Sequence, residues 1–266
     1  MTITQAPPTL APRPSQRAKG RNVLAIASGK GGVGKTWFAI TLTHAFARAG
    51  QRALLFDGDL GLANVDIQLG LMPKHDLGSV VAGRITLNQA TMPFRDGNFD
   101  ILAGRSGSGA LANVPLSRLQ TLGDDLVLLA NAYDRVVVDL GAGVERNSRQ
   151  LANNAATILV VTTDEPTSLT DAYAFIKITH LERPGTDMRV VVNMANSTRE
   201  GERIYNTLLK ACEGFLKLSP PLAGVIRRDI KVREAIRNQT SILTRSPNSE
   251  AAADVEAISE KLLPGR

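Results

Sequence analysis

The chain has 266 residues, 43% of them hydrophobic but only 4% aromatic, and a net charge of +6. That length suits one large α/β domain with a core of aliphatic side chains and alanine. A single cysteine, Cys212, excludes an intrachain disulfide, and no apolar run reaches the roughly 18 residues that cross a bilayer, so a reducing cytoplasm is the expected setting.

Residues 1–21 hold four prolines and carry Arg13, Arg17, Lys19 and Arg21 with no acid, which is four of the six surplus charges. They have no apolar stretch of the secretory kind. This composition predicts a disordered basic tail, a solvated leader rather than an arm for phosphate or an acidic partner. From residue 22 to 266 the pattern predicts one domain of alternating strands and helices. Strands are expected at 22–28, 52–59, 99–105, 134–141, 156–163, 188–195 and 221–227. Each is a run of Val, Ile and Leu with little polar alternation, as in parallel strands buried on both faces. Helices are expected at 36–50, 115–132, 168–181, 198–216, 229–238 and 249–263. The fold class that follows is a doubly wound, mostly parallel sheet flanked by helices on both faces.

Gly29, Lys30, Gly31, Gly32, Val33, Gly34, Lys35 and Thr36 satisfy the G-x-x-x-x-G-K-[ST] pattern at every fixed position, after a predicted strand and before a predicted helix. Glycines let backbone N–H groups turn inward around phosphate oxygens, and a helix N-terminus adds partial positive charge. Lys35 is then expected on the β- and γ-phosphates and the Thr36 hydroxyl on Mg²⁺. Asp139 ends an apolar strand, where a carboxylate can hold Mg²⁺ through water. Asp57 and Asp59 end another strand, and a carboxylate there can orient an attacking water. A lone Asp at a strand end is more often a turn residue or helix cap. Two such strands beside a phosphate loop favour function.

The loop, with its additional Lys30, resembles the deviant phosphate loop of the MinD/ParA ATPases. "DGDLGLANVDIQLGL", "VVVDLGAG", "EPTSLTDAY" and "VREAIRNQ" resemble the flagellar FlhG/FleN branch of that family, and the likeness extends over nearly all of 22–245. The resemblance implies an ATPase that uses ATP and Mg²⁺ and forms a homodimer in the ATP state. It implies that Lys30 crosses the dimer interface to the other subunit's phosphates, so that Lys30, Lys35 and Asp59 are catalytic. Asn193 would meet the adenine edge, and Asp59 joins Thr36 and Asp139 around the metal. A flagellar-assembly GTPase or basal-body protein would be the partner.

The sequence also departs from the family pattern. Trp37 stands where a small polar residue beside the α-phosphate is usual; packing inward is its expected role, with nucleotide contact the alternative. Arg227 replaces a proline near the base, and Met194 an arginine. Residues 1–21 lack the short motif, Asp-Gln-Ala followed by Leu-Arg, with which flagellar relatives stimulate a GTPase. The closing segment sets Glu250, Asp254, Glu256 and Glu260 against Lys261 and Arg266, a poor match to a helix that binds anionic lipid, so direct membrane binding is expected to be weak. Val255, Ile258 and Leu262 are expected to pack on the domain. Two rival functions remain: a ParA-like ATPase holding nucleoid DNA through the basic segment 227–237, and a nucleotide-gated scaffold with little hydrolysis.

Overall fold

The computed structural model describes residues 20–104 and 114–263; the tail proposed for 1–21 thus lies, up to residue 19, outside the described residues. The chain enters the sheet at β1 (Gly20–Ala27), two residues before the expected boundary. It continues through α1 (Lys35–Arg48), β2 (Ala53–Gly58), α2 (Val65–Leu69), α3 (Leu77–Val81), α4 (Leu87–Ala90), β3 (Met92–Phe94) and β4 (Phe99–Leu102). Next come α5 (Leu116–Ala130), β5 (Arg135–Leu140), α6 (Arg146–Ala152), β6 (Ala155–Thr162), α7 (Pro166–Glu182), β7 (Asp187–Ala195) and α8 (Thr198–Leu216). The last elements are β8 (Leu222–Arg227), α9 (Ile230–Arg237), α10 (Ile242–Arg245) and α11 (Glu250–Leu262).

The eight strands among the described residues form one sheet in the order β3-β4-β2-β5-β1-β6-β7-β8. All neighbours are parallel except β3, which runs antiparallel to β4 at one edge. All seven expected strands are present. The unexpected one, β3, is three residues long and contains Pro93, which cannot donate to a ladder and is tolerated at an edge.

Successive side chains of a strand point to opposite faces, and both faces here are buried. Val23, Ala25 and Ala27 of β1 join the core beneath α5, α6, α7 and α8, with Leu122, Leu126, Phe175, Ile176 and Leu208. Leu24 and Ile26 join the core beneath α1 and α11, with Phe38, Leu42, Phe46, Val255 and Ile258. This is why the strands read as unbroken apolar runs. It also accounts for α11: Val255 and Ile258 are fully buried and Leu262 is packed at the margin, so the closing helix spends its apolar stripe on the domain, as expected. No helix among the described residues is long and apolar enough to cross a membrane.

Candidate functional site

The sheet presents the carboxyl ends of β1, β2, β5 and β7 along one edge, and the chain reverses direction around central β1 there. Ligand sites in open α/β sheets form at that edge. A cavity of about 600 Å³ opens on it, lined by Gly31, Gly34, Lys35 and Thr36 of the loop, by Asp59 and Gln68, and by Asn193 and α9.

The loop between β1 and α1 is shaped by its glycines. Gly32 and Gly34 adopt φ of 81° and 86°, in the left-handed region that a side chain disfavours. Gly34 is also the N-cap of α1, and no side chain caps that helix; its first turn carries no acid. By contrast α8, α9 and α11 are capped by Ser197, Asp229 and Ser249. The free amides and dipole at the start of α1 are thus available to an anion. A Cβ at Gly34 would lie 2.5 Å from the Asn193 side-chain amide, and one at Gly29 would lie 2.1 Å from the backbone of Asp171 in α7. The loop is therefore wedged between β7 and α7.

Lys35 lies buried in the cavity wall. Burial pulls its ammonium below the ordinary lysine range, while Asp139 and Asp59 pull it back up. Asp139 is fully buried, and burial pushes its carboxyl up to about 7, against the favourable pull of the Thr36 hydroxyl and of Lys35. One of its oxygens, Oδ1, is buried without a hydrogen-bond partner. Buried polar atoms are almost always paired, so a carboxylate oxygen left open beside a hydroxyl and a lysine fits a hydrated divalent cation. The site thus brings together Lys35, Thr36, Asp59 and Asp139, the residues that sequence reasoning assigned to phosphate, water and metal.

Asp57 stands opposite Asp139 in the β2–β5 register. It is buried, and desolvation first, then the neighbouring Asp139, raises its carboxyl well above the usual range. It accepts 3.3 Å hydrogen bonds from the amides of Asp59 and Val65. Asp59, half-buried, accepts a 2.9 Å bond from the Leu62 amide. The two carboxylates together pin the segment 57–65 over the cavity.

Lys30, Asn193, Trp37 and Met194 take places that the motif alone does not specify. Lys30 does not line the cavity. Its ammonium is held within its own chain by Glu165, the N-cap of α7, and by the Thr167 hydroxyl at 2.9 Å. Asn193 is buried and braces the loop: its Nδ2 donates to the Val33 carbonyl at 2.8 Å and its Oδ1 accepts from the Met194 amide at 2.9 Å. Trp37 packs inward, as expected, at 5% exposure, though its ring also lines the cavity. Met194, in the left-handed region at φ 58°, marks a break in the β7–β8 register and adds a cavity wall that sequence reading had recorded only as a departure.

The basic segment is partly neutralised. Arg227 donates to Asp254 at 2.8 and 3.0 Å and pairs with Glu250, which ties β8 to α11, and Lys231 pairs with Glu234 at 3.0 Å. Arg227 still borders the cavity, beside Arg228, Arg233, Val232 and Ile236. No motif flagged α9 as a cavity wall; only its apolar i, i+4 pair hinted at a face turned inward.

A family model for the CobQ/CobB/MinD/ParA nucleotide-binding domain matches residues 24–242. The antiactivator FleN of Pseudomonas aeruginosa is 38% identical over 242 residues, which cover 90% of this chain and 85% of FleN. The flagellum site-determining protein YlxH of Helicobacter pylori is 27% identical over 241 residues, covering 90% and 81%. Among solved structures, the septum site-determining protein MinD of Pyrococcus horikoshii, complexed with Mg-ADP, superposes with a TM-score of 0.77 at 25% identity, covering 91% of this chain and 96% of that one.

Proposed function

This chain belongs to the CobQ/CobB/MinD/ParA nucleotide-binding family, and on that premise we propose that it is an ATP-dependent dimerising switch that hydrolyses ATP and regulates the placement or number of flagella. The flagellar part rests on the likeness to FleN and YlxH. The switch rests on one observation: of the two loop lysines, Lys35 is buried in the cavity wall while Lys30 lies outside the cavity on an exposed tether. A cation so placed can serve another chain's phosphates by exchanging Glu165 and Thr167 for them.

In this reading the loop amides and Lys35 hold the β- and γ-phosphates. Thr36 and Asp139 hold magnesium, with Asp59 beside them. Bound magnesium would neutralise charge developing on the phosphate oxygens. Asp59 orients the water that attacks the γ-phosphate. Lys30, delivered by the second subunit, offsets transition-state charge as an arginine finger does. Asn193 sets the base end of the cavity through its brace on Val33. The protein would work in the cytoplasm and reach a pole or the inner membrane through a partner, a flagellar-assembly GTPase or basal-body protein.

Lys30→Ala tests the reading. The variant should bind ATP as a monomer, fail to form the ATP dimer in light scattering, and lose most hydrolysis. Mixed with Asp59→Ala it should regain activity, because a mixed dimer reunites an intact Lys30 with an intact Asp59 at one site. Normal dimerisation by Lys30→Ala, or full activity at dilutions where the protein is monomeric, defeats the proposal.

A further inference from the structure

Five buried side-chain polar atoms among the described residues have no hydrogen-bond partner: Trp37 Nε1, Gln68 Oε1, Arg135 Nε, Asp139 Oδ1 and Thr163 Oγ1. Folded proteins pair nearly all such atoms, so each stranded one asks for a reason. Asp139 has one in the metal site. Trp37 and Gln68 are complementary: an indole N–H can only donate, and an amide oxygen accepts. Both residues line the 600 Å³ cavity, from two elements that touch each other, α1 and α2.

The two walls are held with unequal firmness. Trp37 follows Thr36 directly in the first turn of α1, is 5% exposed, and its carbonyl accepts the Thr41 hydroxyl at 2.8 Å. It is fixed relative to the phosphate loop. Gln68 sits on α2, five residues long, which buries Val65 and Leu69 but leaves Ile67, and Leu62 just before the helix, 53% and 73% exposed. Two long hydrogen bonds tether α2 at its sides, from the Val65 amide to Asp57 at 3.3 Å and from Gln239 Nε2 to the Ile67 carbonyl at 3.2 Å. The same segment begins at Asp59, whose carboxylate is bonded to the Leu62 amide.

We propose that Trp37 and Gln68 are positioning residues for hydrolysis: on nucleotide binding the indole N–H of Trp37 donates to Oε1 of Gln68, drawing α2 against α1 and setting Asp59 over the phosphates. The proposal rests on the reading of the cavity as an ATP site. It gives Trp37, the residue that replaces a small polar one, a task beyond filling the core. The hydrogen bond forms in the closed state only, so it acts on turnover more than on binding.

Trp37 is the chain's single tryptophan, so its emission reports on this one indole. In the full-length wild type, magnesium with a non-hydrolysable ATP analogue should move that emission to longer wavelength as the N–H gains an acceptor. Gln68→Leu should bind the analogue without the shift, and Gln68→Glu, which keeps an acceptor oxygen, should restore it. Trp37→Phe and Gln68→Leu should each lower kcat about fivefold, the worth of one neutral hydrogen bond, with KM little changed. The double variant should be no slower than either single one. A shift that persists in Gln68→Leu, or two kcat losses that multiply, overturns the pair while leaving the nucleotide site standing. Failure of the wild type to bind Mg·ATP in calorimetry brings down the site reading and the pair together.

Discussion

Replacing Gly34 and Gly32 by alanine separates backbone strain from the brace that Asn193 supplies. Both glycines have similar left-handed φ, 86° and 81°, so a Cβ at either costs about 1 kcal/mol of conformational strain. A Cβ at Gly32 meets nothing within 4 Å. At Gly34 it would lie 2.5 Å from Asn193 Nδ2, an approach that forces Asn193 to move. Moving it breaks the 2.8 Å bond to the Val33 carbonyl at a buried site, a further loss of about 2 kcal/mol. Gly32→Ala should therefore lower Tm by about 3 °C, and Gly34→Ala by about 9 °C, for a domain of this size. Calorimetry should show the same order in nucleotide affinity, since Gly34 caps α1 and Gly32 does not. Equal Tm losses in the two variants would refute the account of Asn193 as a brace on the loop.

Three further outcomes follow from the site and core. Lys35→Ala removes the buried cation between Asp139 and Asp59, so ATP affinity in calorimetry should fall at least about a hundredfold, and hydrolysis with it. His44 is buried against Ser241 at 2.7 Å, and burial, then Arg48, lowers its pKa to about 4. The native state thus holds it neutral while the unfolded chain protonates near 6.5, so its contribution is present above 6.5 and is lost as pH falls toward 4. Unfolding free energies of wild type and His44→Gln should converge by about 3 kcal/mol across that window, and a constant gap would refute the assignment. Vesicles of anionic lipid should not pellet the protein with ATP, because Val255 and Ile258 are consumed by the core; ATP-dependent pelleting abolished by Val255→Ser and Ile258→Ser in a folded protein would show otherwise.

The strands and long helices were legible because both faces of this sheet are covered, which turns each strand into an apolar run that stands out from amphipathic helices such as α8. The five helices that went unread, α2, α3, α4, α6 and α10, are four to seven residues long, too short for a helical period to emerge. Their caps were the only local signal: Asp76, Thr86 with Gln89, and Ser241 each cap one. The loop was legible residue by residue because its chemistry needs fixed residue types at fixed spacing. What Lys30 and Asn193 touch was not, since Glu165 and Val33 lie 135 and 160 positions away and only the fold brings them near. Arg227 looked like a free surface charge for the same reason, its acids lying 23 and 27 residues on.

The absence of room at Gly29 has a mechanical meaning. With the backbone of Asp171 where a Cβ would stand, the start of the phosphate loop and α7 are in direct main-chain contact, with no side chain between them to absorb a displacement. Helix α7 is 17 residues long, about 25 Å, and Asp171 is its sixth residue, so about 17 Å of helix lies between that contact and its end. There Arg183, at its end, donates to Asn153 beyond α6 at 2.7 Å. A displacement of the loop would therefore meet α7 through main chain directly, with no side chain between them to give way.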